Sequence, residues 1–293
     1  MLLNRQKILL SYLYLNGKEC SRLHITKALF LFCEEIENNI YDFHPYIRGP
    51  FSELVFLDLR KLAEKGIIKN GEYNVSIIDK ELIKTFLQKL DPNILYSLSN
   101  IVNQYGRMSD EDLMNKVYKI YPYYAINNPD RNKDFAKFDP RKKSINTIPI
   151  IFTIGYEGIT IDKYVDKLIQ NNVNILVDIR KNPNSMKYGF SSARLKQIVE
   201  KRGIKYLSIK ELGIEGEDRK DLASFVDYQK LFENYKKTLP EKEKYIKIMS
   251  DLLENGNRIA LTCFEADHNY CHRNEASKYL YSFINQKYEL KHL

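Results

Sequence analysis

The sequence has no long hydrophobic run, few cysteines and none of the common nucleotide-binding loops. No run approaches the roughly eighteen apolar residues of a transmembrane helix, and the first residues lack the pattern of a secretory signal peptide, so we expect a cytoplasmic protein. The 4 cysteines are too few and too dispersed for a disulfide framework, which predicts reduced thiols. The absence of GxGxxG and Walker sequences argues against nucleotide binding through those motifs.

The composition is that of a globular protein with a basic surface. Hydrophobic residues make up 44% and charged residues 29% of the 293 positions, which allows two domains with real cores. The formal net charge of +8 favours a polyanionic partner, either nucleic acid or a nucleotide, and no membrane partner is expected. The alternative is a solvated surface of mixed charge, because many lysines alternate with acids, as in EKEKYIK at 241–247.

The first part of the chain has the order of elements of a winged helix. Helical periodicity predicts helices near 5–16, 23–37 and 52–68, and Asn70-Gly71 then predicts a hairpin. Two further helices are predicted at 79–90 and 108–122. We therefore predict a mostly α domain over 1–126. A linker over 127–147 follows, because this stretch is rich in Asn, Pro, Lys and Asp and lacks periodicity.

Residues 148–293 alternate between short apolar runs and helical patterns, which predicts a Rossmann-like α/β domain with a parallel sheet. Strands are expected near 148–156, 174–180, 204–209 and 258–264, and one long helix is expected over 223–254. Because ligands of open parallel sheets bind at the carboxyl ends of the strands, the polar residues at these ends are candidate site residues.

The first two strand ends carry glycines, acids and an arginine. Gly155 and Gly158 flank Tyr156 and Glu157 in a tight turn, where either a structural or a binding role fits the glycines. Asp178 and Arg180 lie on one face of an extended segment, as a base and an anion-binding group or as members of a structural ion pair. Lys181, Ser185, Lys187 and Tyr188 in the next loop suit a phosphate-bearing substrate, and Glu211 after the third strand is a further substrate-binding candidate.

The last strand runs into CFEADHNYCHR, residues 263–273, which has three interpretations. Cys263, Cys271 and His272 are suitable zinc ligands, although the spacing lacks the CxxC pair of specific zinc motifs. The two cysteines are alternatively a redox pair. In the third interpretation the segment is a metal-free loop in which Glu265, His272 and Arg273 are catalytic and Cys263 is a buried strand residue.

Several motifs resemble the DUF488 family: TIGYEG, LVDIRKNPNS, YGFS, YLSIKELG and TCFEADHNYCHR. They occur in family order through about residues 150–280. The resemblance implies a Rossmann-like fold and an active site built from the motif residues, and it implies no established activity. The matching positions are Gly155, Tyr156, Glu157, Gly158, Asp178, Arg180, Ser185, Phe190, Leu212, Gly213, Cys263, Glu265, Cys271, His272 and Arg273.

Residues 5–127 resemble the helical domain of SocA-like (Panacea) antitoxins through PYIRGPFSELVFLDLRKL and the segment that begins at QYGRMSDEDL. The stretch before the Gly-Pro pair departs from the family, where a longer polar segment is expected. This resemblance implies a regulatory or protein-interaction role in bacterial conflict systems, and it competes with a DNA-binding winged helix.

Three functional hypotheses follow. The first is an enzyme that hydrolyses or transfers nucleotides or nucleic acid, with carboxylates as bases, arginines on phosphate and Tyr156 stacked on a base. The second is a regulator without catalytic activity that binds DNA or protein and senses a small ligand. The third is a zinc or redox protein that uses Cys263, Cys271 and His272. The first hypothesis assigns catalysis to Tyr156, Glu157, Asp178, Arg180, Glu265, His272 and Arg273, and substrate binding to Gly155, Gly158, Ser185, Lys187, Tyr188, Glu211 and Cys263.

Overall fold

The computed structural model describes residues 2–131, 134–139, 148–216 and 225–293, with the side chain of Phe225 left out. The chain divides into two compact units, Met1–Asp139 and Pro140–Leu293. The first unit extends past the predicted boundary at residue 126, because the side chain of Asn127 bonds to the Pro45 carbonyl and that of Asn128 bonds to Tyr118. Of the predicted linker, residues 132–133 and 140–147 lie outside the described residues.

The first unit combines helices with a small antiparallel sheet. Its elements are α1 (Asn4–Asn16), β1 (Cys20–Ser21), α2 (Arg22–Glu35), β2 (His44–Tyr46), β3 (Gly49–Phe51), α3 (Glu53–Glu64), β4 (Ile68–Asn70), β5 (Asn74–Ile77), α4 (Lys80–Leu87), α5 (Pro92–Tyr105) and α6 (Asp110–Ile120). The strand order β1-β5-β4 adds β1 to the predicted hairpin, and β2 pairs with β3 in a second hairpin. The sequence analysis had predicted neither the second hairpin nor α5. Cys20 and Cys33 lie in the core.

The second unit is the predicted α/β domain. Its elements are β6 (Ile150–Gly155), α7 (Ile161–Gln170), β7 (Ile175–Asp178), α8 (Ser192–Glu200), β8 (Lys205–Ser208), α9 (Phe225–Thr238), α10 (Glu243–Glu254), β9 (Ile259–Cys263), α11 (His272–Phe283) and β10 (Glu289–His292). The prediction of one helix over 223–254 is wrong, because Pro240 begins a short 3-10 turn that separates α9 from α10. Residues 223 and 224 lie outside the described residues.

The five strands of the sheet pair in parallel in the order β10-β6-β9-β7-β8. Strands β6, β7 and β9 are buried along their whole length, which explains their continuous apolar sequences. The chain leaves β6 toward β7 and leaves β9 toward β10, in opposite directions along the sheet. With right-handed crossovers the following helices lie on opposite faces, so the carboxyl end of β9 is a topological switch point, where such sheets bind ligands.

No helix in the described part of the chain is long and apolar enough to cross a membrane.

Candidate metal centre

Three metal-binding side chains meet at the switch point. Cys263 ends β9, Cys271 precedes α11, and His272 is the first residue of α11. The Nδ1 atom of His272 lies 3.6 Å from the Cys263 sulfur and 3.9 Å from the Cys271 sulfur. The donor atoms of all three residues lie within 4.8 Å of one another, and all three residues are buried.

These separations are close to those of ligands around one zinc ion. Tetrahedral bonds of about 2.3 Å to sulfur and about 2.0–2.1 Å to nitrogen place a sulfur and a nitrogen about 3.6 Å apart. The two measured sulfur–nitrogen distances are 3.6 and 3.9 Å. A zinc ion therefore fits between the three side chains without a large rearrangement.

The other ring nitrogen of His272 is already engaged. Its Nε2 lies 3.2 Å from the backbone carbonyl of Ile179, directly after β7. Because a carbonyl oxygen only accepts hydrogen bonds, Nε2 carries the proton and Nδ1 presents its lone pair to the two sulfurs. The Tyr235 ring packs edge-on against the imidazole at 5.6 Å and restricts its orientation. A second ring N–H bonded to a carbonyl is the usual support of a metal-binding histidine.

Glu265 lies at the edge of this cluster. Its Oε2 is 3.2 Å from the Cys263 sulfur, and the residue is half-buried. Among the described residues, the group of donors within 4.8 Å of one another consists of the two cysteines and His272, without Glu265. Three protein ligands with a carboxylate at the side resemble a catalytic zinc site, in which the fourth position takes water or substrate.

The electrostatics of Cys271 depend on its surroundings. Burial raises the pKa of the Cys271 thiol well above its ordinary value, and the nearby Cys263 and Glu265 raise it further. Arg273 opposes this shift, but the net effect disfavours the thiolate. A bound metal reverses this preference because it ligates the deprotonated sulfur.

Several predicted catalytic residues instead shape the loop after β9. The Arg273 guanidinium donates to the carbonyls of Glu265 at 2.5 Å and Ala266 at 2.9 Å. The Glu157 carboxylate accepts the Ala266 N–H at 2.9 Å, and the N–H groups of Tyr156 and Glu157 both donate to the Phe264 carbonyl. Arg273 is buried and Glu157 is exposed, and both fix the backbone that carries Glu265.

Gly155 has a packing role at the same place. A Cβ atom at this position would lie 1.8 Å from the Glu265 carbonyl oxygen, so only glycine lets the two loops approach. Gly158 has a φ of +74° with no atom within 4 Å of such a Cβ, which makes it a turn residue. These contacts give both glycines structural roles, which is one of the two alternatives left open by the sequence.

Asp178 and Arg180 form a buried ion pair with each other. Arg180 donates from Nε to Oδ1 of Asp178 at 2.8 Å and from the terminal NH2 nitrogen to Oδ2 at 2.6 Å. The NH1 nitrogen donates to the Tyr156 hydroxyl and the Phe190 carbonyl. Tyr206 donates to Asp178 at 2.6 Å. This network corresponds to the structural ion pair, which is one of the two alternatives left open by the sequence, and it uses both ends of the guanidinium.

The prediction that Tyr156 stacks on a base is wrong for this conformation. Its ring is 4% exposed and stacks on Phe190 with the ring centroids 4.3 Å apart. The edge of a further ring, that of Phe264, meets it at 5.3 Å. A nucleobase therefore has no room on this ring.

The remaining predicted binding residues are distributed around the carboxyl edge. Lys187 donates to the Tyr156 carbonyl at 2.6 Å, and burial lowers the pKa of its ammonium group. Ser185 accepts the Lys187 N–H, and Tyr188 accepts a bond from Arg194 at 3.3 Å. Glu211 lines a separate cavity of about 880 Å³ near α9 and α10. Cys263 belongs to the cysteine–histidine cluster and is only 2% exposed.

The Ile179 carbonyl is the functional group that sequence reasoning missed. It orients His272, yet it belongs to an apolar residue between Asp178 and Arg180 and carries no side-chain signal. The strand order would have indicated it, because β7 pairs directly with β9.

Fold and site together define an α/β domain with a cysteine–histidine cluster at the carboxyl edge of a parallel sheet. Residues 160–280 match the family described as domain of unknown function DUF488. The resemblance to this family is thus confirmed for the larger part of the second unit, and the match covers less than half of the chain. No curated protein matches the chain.

Proposed function

We propose that the DUF488 unit is a zinc-dependent hydrolase in which Cys263, Cys271 and His272 hold the metal. The observation that carries the proposal is the position of His272 Nδ1, 3.6 and 3.9 Å from the two sulfurs, while Nε2 is bonded to a carbonyl. This is the third hypothesis from the sequence, combined with the hydrolytic chemistry of the first.

Glu265 is the general base of the proposed reaction. Zinc, when bound, supplies a nucleophile by lowering the pKa of a coordinated water to about 7. The half-buried Glu265 carboxylate lies 3.2 Å from one of the proposed ligand sulfurs, and it would accept the proton of the attacking water. Arg273 and Glu157 act as positioning residues, because they hold the peptide group that links Glu265 to Ala266.

A nucleotide or nucleic acid is the substrate class that we propose. The net charge of +8 supports it, and the half-buried Lys187 offers a cation close to the Tyr156 carbonyl at the same edge. Arg180 is not part of this proposal, since Asp178 and Tyr156 engage its guanidinium. In this proposal Glu265 has the catalytic role expected from the sequence, and the Asp178–Arg180 ion pair has a structural role.

The first test is elemental analysis of the full chain purified without added metal, alongside Cys271→Ser and His272→Ala. We expect about one zinc per chain in the unmodified protein and a loss of at least tenfold in both variants. Cobalt substitution should give the sulfur-to-metal charge-transfer absorption of thiolate ligation, which the two variants should lack.

The matched control is Cys33→Ser, since Cys33 is also a buried free cysteine but lies in the first unit. It should keep the zinc content. Glu265→Gln should also keep the metal while changing the pH dependence of the cobalt spectrum. Absence of bound metal together with a disulfide between Cys263 and Cys271 would contradict the proposal and support the redox interpretation.

For the first unit we propose a binding role that accompanies this activity. The order α1-β1-α2-β2-β3-α3-β4-β5, with β1 paired to β5, supports the winged-helix hypothesis, and the hairpin β2-β3 is inserted between α2 and α3. The exposed residues of α3 include both Arg60 and Glu64, which pair with each other, so this helix suits a protein partner better than a DNA groove. Salt-dependent binding of the purified chain to a DNA duplex would instead favour a DNA-binding role.

A further inference from the structure

A lysine is buried in the core of the first unit. Lys27 lies in α2 and is 3% exposed. Its Nζ donates to the Pro50 carbonyl at 2.8 Å, which is its one hydrogen bond to the described residues. An ammonium group has three donors, so a charged Lys27 would leave two of them unsatisfied in an apolar environment.

Lys27 lines a cavity of about 350 Å³. Its lining is mainly apolar and aromatic, and most of the wall is formed by Leu23, Tyr46, Ile47, Phe51 and Phe56. Lys27 and Arg48 are the cations that line it. Gly49, with a φ of +91°, lets the turn between β2 and β3 approach so closely that a Cβ there would lie 3.3 Å from Lys27 Cε. The fold thus packs a hairpin onto the lysine and leaves a pocket beside it.

The environment favours the uncharged amine. Burial, partly opposed by the charge of Asp110 and aided by that of Arg48, lowers the pKa of Lys27 to about 7. Asp110 already accepts a hydrogen bond from Ser21. At neutral pH a large fraction of Lys27 therefore carries a lone pair, which exposed lysines have only near pH 10.

We propose that Lys27 is a nucleophilic amine that forms an imine with an aldehyde or ketone bound in this cavity. The nitrogen lone pair attacks the carbonyl carbon to give a carbinolamine. Loss of water then forms the C=N bond, and both amine protons leave with the carbonyl oxygen. No oxidant or reductant is required.

The cavity also indicates which carbonyl compounds fit. The walls formed by Tyr46, Phe51 and Phe56 suit an aromatic or branched apolar group. The Arg48 side chain is exposed at the cavity and makes no hydrogen bond or ion pair with the described residues, so it is available for a carboxylate or phosphate on the ligand. The ligand class is therefore a small apolar aldehyde or ketone with an acidic group.

The test uses 4-carboxybenzaldehyde and cyanoborohydride on the full chain, followed by peptide mapping by mass spectrometry. Reduction converts the imine into a stable secondary amine at the modified lysine. At pH 7 we expect Lys27 to be labelled about tenfold or more faster than the exposed Lys61, because far more of its amine is uncharged. The labelling rate should reach half its maximum near pH 7.

Lys27→Met should abolish the fast labelling and leave the slow labelling of Lys61 unchanged. Arg48→Gln should slow labelling by 4-carboxybenzaldehyde and leave labelling by uncharged benzaldehyde nearly unchanged. Because the mapping is done on the unmodified protein, the result does not depend on whether a variant folds. Equal labelling of all lysines, or labelling of Lys27 only in denaturant, would overturn the proposal. Binding of benzoate to the protein without formation of any imine at Lys27 would also overturn it.

Discussion

Gly155 lies where the loop after β6 meets the loop after β9, and the approach leaves no space for a side chain. A Cβ atom would come within 1.8 Å of the Glu265 carbonyl oxygen. We expect Gly155→Ala to lower the free energy of unfolding by about 3 kcal/mol or more, because the obstructing atom belongs to the backbone. Urea denaturation of the purified variant measures this change.

Gly158→Ala is the matched control. Its φ of +74° disfavours alanine, but a Cβ at Gly158 meets no atom within 4 Å. The expected loss is about 1 kcal/mol. Equal losses in the two variants would mean that the contact between Gly155 and Glu265 does not limit the approach of the loops.

The candidate metal ligands could be predicted from the sequence, but the hydrogen bond that orients His272 could not. Cys263, Cys271 and His272 have the side-chain chemistry of zinc ligands, so their residue types alone predict that they form one site. The Ile179 carbonyl that orients His272 belongs to the backbone, which is the same for every residue. The pairing of Asp178 with Arg180 was an open alternative, because a sequence does not show which partners a charge meets.

The Asp178–Arg180 pair ties the end of β7 to its neighbouring elements. Asp178 accepts from Tyr206 on β8, while Arg180 reaches Tyr156 and the Phe190 carbonyl. We expect Arg180→Met to lower the free energy of unfolding by about 3–5 kcal/mol, because it leaves a buried carboxylate without its cation. Chemical denaturation measures the loss.

An exposed ion pair provides the comparison. Lys247 and Asp251 lie 2.9 Å apart on α10, and both side chains are at least half exposed. Lys247→Met should have no measurable effect, since solvent screens such pairs. If both substitutions gave the same small loss, Asp178 would be stabilised by its other partners and the pair would not be structurally important.

Elements with a strong hydrophobic pattern were predicted from the sequence, whereas most elements with a weak hydrophobic pattern were not. Strands β6, β7 and β9 are continuous apolar runs because both of their faces are buried. In contrast, β10 is a partly exposed edge strand with the sequence ELKH, which has little apolar character. Helix α5 is an exception, because it begins with an Asp91 cap and Pro92, which together form a helix-start signal.

Removal of metal should affect one unit of the chain. Because all three proposed ligands lie in Pro140–Leu293, zinc bound as proposed would stabilise that unit. The effect reaches about 4 kcal/mol when free zinc is about 1,000 times its Kd. In hydrogen–deuterium exchange with and without a chelator, we expect protection to fall in β9 and α11 and to stay unchanged in α1 and α2. A similar fall in both units would contradict a local role for the metal.

The three proposed ligands are also close neighbours along the chain, since they lie within residues 263–272. Closing so short a loop loses little chain entropy, whereas the parallel sheet joins strands that are far apart in sequence. The proposed zinc ion would therefore bind this segment early, before the strands of the sheet have paired. The metal would then influence the order of folding, by forming the corner between β9 and α11 around which β6 and β7 later assemble.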